Sequence, residues 1–339
     1  MNEARSDNSQ LGHEPDDEHA REEAAAHARH TRDVTIGTIL AFISAVLYTA
    51  TNMCLKAAAE SDLNPYWISF LKAVPTFVLA GAIVGWDRAK GKPVGLSLSN
   101  WFWLFMTGLL AHLGGNVTFQ VGLEVVGLAA AVPLVFSMIL VGGAILGRVW
   151  LGEGISLRSV VAITTLCVSI GLLGWHSELA RTDQPATAKV YTPLETAGAI
   201  AIICCSGVAF SVLGVVIRRM VTAGAGSAPT LLVISIAGIV SLGGLSLQQL
   251  GAGGLLATSP RDFAIMLGGG TFNAVAFYLL TKAFHLIPVT YVNVVNASQT
   301  AMAALAGVIY FHEPSTSALV IGMVLMVAGL FLMDRPQRR

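Results

Sequence analysis

Polar residues recur at four-residue intervals inside otherwise apolar stretches of this 339-residue chain. Ser44, Tyr48, Asn52 and Lys56 form one such row, and His112, Asn116 and Gln120 form another. Asn273 and Tyr278, then Asn293, Asn296 and Gln299 or Thr300, make less regular rows further along. Four-residue spacing stacks side chains along one face of a helix. A face of amides, phenols and an imidazole can hold a polar solute by hydrogen bonds without reacting with it. Lys72 adds a positive charge within an apolar run, where it could meet an anionic group on a solute. The binding set expected on these grounds is Tyr48, Asn52, Lys72, His112, Asn116, Asn273, Tyr278, Asn293, Asn296 and Gln299. The competing expectation is that the same groups only tie helices together, at roughly 0.5–2 kcal/mol per bond.

Chemistry beyond binding finds little support. The chain has no zinc-type histidine motif, nucleophile elbow or nucleotide-binding loop. No Asp or Glu falls in the central part of an apolar run, so a buried carboxylate proton relay has no obvious carrier; His112 could titrate, an unperturbed imidazole doing so near neutral pH, but a lone histidine on a polar helix face more often serves as a hydrogen-bonding residue. His13, Glu14 and His19 sit in a mixed-charge segment of the kind that clusters such residues by chance. Cys54, Cys167, Cys204 and Cys205 all lie in apolar runs without ligand spacing. No metal, cofactor or disulfide is therefore expected, and a net charge of zero gives no sign of nucleic acid.

The elements that must carry these residues follow from composition. Hydrophobic residues make up 54% of the chain and charged ones 12%, against roughly 25% charged in a soluble domain. Continuous apolar runs of about 20 residues, without the alternation of a membrane strand, call for transmembrane helices. Spans are expected at about 35–55, 67–86, 101–123, 128–151 and 160–175, then at 197–217, 231–250, 263–284, 289–311 and 318–333. Residues 1–34 read as a disordered cytoplasmic tail, 176–196 as a connector and 334–339 as a cytoplasmic C-terminus. Trp67, Trp86, Trp101, Trp103, Trp150 and Trp175 stand at span ends, where indoles favour the membrane interface. With the N-terminus inside, the cytoplasmic segments hold thirteen lysines and arginines from Arg29 onward, and the external ones Arg181, Lys189 and Arg261, apart from Lys56 at a span end. That bias supports a multi-pass protein of the inner, cytoplasmic type of membrane with both termini cytoplasmic.

The chain also repeats. At an offset of 160, Gly108, Val132, Ala144, Gly147, Glu153 and Val160 meet Gly268, Val292, Ala304, Gly307, Glu313 and Val320. Five spans per half is an odd number, so the halves, 35–175 and 197–333, must be inverted relative to each other. The expected fold is an all-α integral membrane protein of ten transmembrane helices in two inverted five-helix repeats.

Two stretches carry a family resemblance. One is Gly127-Leu-Ala-Ala-Ala-Val-Pro133 leading to Gly147-Arg-Val-Trp-Leu-Gly-Glu153; the other is Ile287-Pro-Val-Thr-Tyr-Val292 leading to Gly307-Val-Ile-Tyr-Phe-His-Glu313. The chain resembles the EamA-type group of the drug/metabolite transporter superfamily over nearly all of 35–333. Lys72 stands where that group often has arginine, and Phe311-His312 replaces leucine-glycine in the second copy. The resemblance implies a carrier of metabolites, amino acids or toxic compounds, often outward, and not an enzyme. Glu153 and Glu313 are expected to be structural, the first with Arg148 and Arg158 nearby. The expected partners are the lipid bilayer and a small-molecule substrate, with a homodimer allowed. A non-transporting sensor or assembly protein, or a membrane enzyme acting on lipid, are the competing classes.

Overall fold

Helix starts are written into the loops. Asn64 Oδ1 accepts from the Tyr66 and Trp67 N–H groups at 2.9 and 3.4 Å, with Pro65 in the first turn. Ser97 caps its helix through the Asn100 N–H, Ser259 through the Asp262 N–H, and Thr192 with Glu195 forms a reciprocal capping box. Each satisfies donors that a helix start leaves orphaned. Gly152 and Gly224 adopt positive φ just past helix ends, a conformation that favours glycine.

The computed structural model describes residues 14–59, 61, 63–126, 128–181, 192–310 and 317–332. Over these the chain is helical, without strands. The helices are α1 (Glu14–Ala59), α2 (Pro65–Ala89), α3 (Leu98–Leu109), α4 (Thr118–Val126), α5 (Leu128–Leu151) and α6 (Leu157–Arg181). They continue with α7 (Pro193–Thr222), α8 (Ser227–Leu256), α9 (Pro260–Leu286), α10 (Val289–Asn296), α11 (Ser298–Tyr310) and α12 (Ser317–Leu332). A π-helical stretch, Leu110–Val117, joins α3 to α4 in one rod, and α10 runs into α11 through Ala297. Six helices (α1, α2, α5, α7, α8 and α9) contain segments long and apolar enough to cross a membrane by themselves. Large apolar side chains stand exposed along the rods, among them Ile39, Val78, Ile145, Val240 and Val324, each more than half exposed. Only lipid solvates such a surface without penalty, so the chain is an integral membrane protein.

Packing crosses between the halves. α1 lies on α9, and α7 lies on the α3–α4 rod; α2 pairs with α8, α6 with α12 and α5 with α10. Val215, Ile217, Ile234, Phe284, Ile287 and Val292 fill a core shared by α7, α8, α9 and α10. Leu140, Leu166, Ile170, Val294 and Met326 fill another between α5, α6, α10 and α12.

The structure departs from the expected boundaries in three places. Helix α1 begins at Glu14, so 14–34 are helical and not a disordered tail; Ala, Glu and Arg dominate there, and these are strong helix formers. Residues 176–181 and 193–196 of the expected connector belong to α6 and α7. Trp67 is buried, stacked on Phe70 and donating from Nε1 to Thr258 Oγ1 at 3.0 Å, so it packs inside the protein. Trp86, Trp101, Trp103 and Trp150 are exposed, as an interfacial indole should be.

Candidate functional site

A cavity of about 180 Å³ lies between the halves. That is roughly six waters' share of liquid volume at about 30 Å³ each. Nine of the ten residues expected to bind a solute line it. Tyr48 and Asn52 come from α1, Lys72 from α2, His112 and Asn116 from the π stretch, Asn273 from α9, and Asn293, Asn296 and Gln299 from α10 and α11. Tyr278 is the correction. It lies outside the lining, with the Lys282 ammonium 5.5 Å from its ring. At about 100° per residue, the face of α9 that carries Asn273, Phe277, Leu280 and Phe284 turns position 278 away.

Two polar clusters flank the cavity. In the first, Lys72 Nζ donates to Asn116 Oδ1 at 2.5 Å. Because an ammonium only donates, the Asn116 amide nitrogen must face the other way. It donates to the Ala111 carbonyl at 3.3 Å and lies 3.2 Å from His112 Nδ1. That contact makes Nδ1 the acceptor and leaves the imidazole proton on Nε2, beside Gly238 of α8. In the second cluster, Asn52 Nδ2 donates to Gln299 Oε1 at 3.4 Å. Gln299 Nε2 donates to Asn296 Oδ1, and Asn296 Nδ2 donates to Ser44 Oγ at 3.3 Å. Ser44 Oγ then donates to the Ala276 carbonyl at 2.9 Å, so the network ties α1, α9 and α10–α11 together.

Local backbone irregularities present these groups. The π stretch widens the helix at Gly114 and Gly115, and side chains serve the carbonyls there: Thr118 Oγ1 donates to Gly114 at 2.7 Å and Ser206 Oγ of α7 to Gly115 at 2.9 Å. Such π segments are rare and favour functional sites. The break at Ala297 frees the Asn296 carbonyl, which accepts from Gln299 Nε2 at 3.2 Å. Pro75, inside α2, cannot bond the Leu71 carbonyl, and Gly270 packs against that turn. Irregular backbone at membrane depth is tolerated where it lines a cavity.

The remaining wall is apolar. Val132, Val135, Phe136 and Ile139 of α5, Phe210, Leu213 and Ile217 of α7, and Phe119 of α4 contribute to it. Sequence reasoning missed Thr51, Thr76 and Ser235, which also line the cavity. Thr76 was within reach, four residues beyond Lys72 on the same face, and Asn273 Nδ2 donates to it at 3.4 Å.

Glu153 lies away from the cavity and is structural in its contacts. Its Oε1 accepts from the Val289 N–H at 3.1 Å, at the start of α10, which has no side-chain cap of its own. An ion pair joins it to Arg218 of α7, at 3.7 Å, a residue from the other half. Arg218 Nη1 in turn donates to the Phe284 carbonyl at the end of α9. Glu313 lies outside the described residues.

Comparison with known proteins gives the family. No curated protein matches the chain significantly. Among 28 matching chains of solved structures, one described as a crystal structure of a protein superposes with a TM-score of 0.65 at 16% identity. The match covers 87% of this chain and 95% of that one; at this identity it speaks for the fold alone. The sequence matches the EamA-like transporter family twice, over residues 35–175 and 197–334, once in each repeat. The chain, helical over its described residues and matched once in each half, therefore belongs to the EamA-like transporter family.

Proposed function

We propose that this protein is a secondary transporter that carries a small solute through the cavity by alternating access. The observation that supports this most directly is the cavity itself, to which both halves contribute polar residues. In this reading all ten rods cross the membrane, the third and ninth as broken helices, and the halves are inverted repeats. Both termini are cytoplasmic in the inner, cytoplasmic membrane, following the lysine and arginine bias. The crossed packing of α1 on α9 and α7 on the α3–α4 rod means that the moving bodies are mixed bundles, each drawn from both halves. Substrate binding shifts the balance between two such arrangements, and no bond in the solute is broken.

The test compares small molecules inside and outside cells expressing the wild type, Asn116→Ala, or nothing. Redistribution of a compound class by the wild type, reduced by Asn116→Ala at equal membrane abundance, supports transport. A folded, membrane-inserted wild type that redistributes nothing would favour the sensor reading instead.

A further inference from the structure

The charge inventory of the cavity is lopsided. Among the described residues, Lys72 is the one lysine or arginine that lines it, and no Asp or Glu does. The Lys72 side chain is buried, and its hydrogen-bond partner is the neutral Asn116 amide. Among the described residues no carboxylate lies within ion-pair distance of its ammonium. A buried ammonium without a counter-ion is costly, and one held only by an amide oxygen leaves two of its three donors for something else. The rest of the lining offers phenylalanines, Phe119, Phe136, Phe210, Phe277 and Phe284, which favour contact with apolar or aromatic surface. A cation would meet the Lys72 ammonium with no lining carboxylate, among the described residues, to offset the repulsion.

Resting on the transporter reading, we infer that the solute is a small organic monoanion with an apolar body, its carboxylate-type group paired with Lys72 and its body against the phenylalanine wall. The anion supplies the missing counter-charge. Asn116 positions the ammonium, and the amides of Asn52 and Gln299 remain for any further polar group on the solute. Drug-sized pockets run to about 300–1,000 Å³, so a cavity of about 180 Å³ selects a body about the size of one ring or a short chain.

The experiment holds the body constant and varies the charge. Binding of benzoate, benzyl alcohol and benzylammonium is measured by calorimetry on the purified full-length protein in lipid nanodiscs, followed by counterflow of labelled benzoate in proteoliposomes. Benzoate is expected to bind, benzyl alcohol to bind about ten- to a hundredfold more weakly, and benzylammonium not at all. Lys72→Met is expected to weaken benzoate by a similar factor and Lys72→Arg to retain most of it. Should Lys72→Met fail to fold, the three-ligand series on the wild type decides alone. Binding of the alcohol or the ammonium as tightly as benzoate, or of none of the three, overturns the inference. Charge-selective binding without counterflow leaves the inference standing and counts against transport. Transport of a neutral or cationic solute, unaffected by Lys72→Met, does the reverse.

Discussion

Removing the Glu153 carboxylate should loosen the fold at one identifiable joint. In Glu153→Ala the Val289 N–H loses its acceptor, which costs about 1–3 kcal/mol if the group stays dry. Arg218 keeps the Phe284 carbonyl but loses its counter-charge. Breaking a fully buried pair costs about 3–5 kcal/mol; the two side chains are 17% and 11% exposed at 3.7 Å, so about 1–2 kcal/mol is the discounted expectation. The sum is about 2–5 kcal/mol for Glu153→Ala. Glu153→Gln keeps an acceptor for Val289 and should cost only about 1–2 kcal/mol. Combined with Arg218→Gln it should cost less than the two single changes added, because the pair is then removed together. Unfolding in mixed micelles of increasing denaturing detergent measures all four proteins. If Glu153→Ala is no worse than Glu153→Gln, the capping argument is refuted. If the double variant is strictly additive, the pairing argument is.

Three further outcomes follow from close contacts. A Cβ on Gly270 would stand 2.9 Å from the Leu71 carbonyl and 3.0 Å from Lys72 Cα, so Gly270→Ala must push α2 away, at about 1–3 kcal/mol; a detergent unfolding curve checks it. A Cβ on Gly238 would stand 2.5 Å from His112 Nε2, so Gly238→Ala should turn the imidazole away from Asn116 and weaken solute binding, read by calorimetry. Tyr278→Phe should leave binding unchanged and stability within about 0.5 kcal/mol, because the ring lies outside the cavity.

Most of the cavity was legible because helix periodicity is a local property. Lys72, His112, Asn116, Asn293, Asn296 and Gln299 are polar groups in apolar runs, and hydrocarbon drives such groups inward. Periodicity also over-extends a row: Ser44 and Gln120 are buried on the expected faces but lie beyond the cavity lining. Tyr278 failed because five residues is not a helical repeat. The π stretch left only a Gly114-Gly115 pair in the sequence, and its register depends on Ser206 and Phe210 arriving from α7. The partner of Glu153 was invisible for the same kind of reason: Arg218 is brought to it by tertiary packing between halves, and no spacing rule spans that separation.

The crossed pairing of α1 with α9 and of α7 with the α3–α4 rod bears on how such a protein can be made. A single five-helix half would emerge with its pairing faces uncovered and could complete its fold only by embracing another half. Covalent linkage then serves stoichiometry more than shape: two separately synthesised halves, 35–175 and 197–333, would be expected to find each other in the bilayer, while either alone would be cleared by quality control.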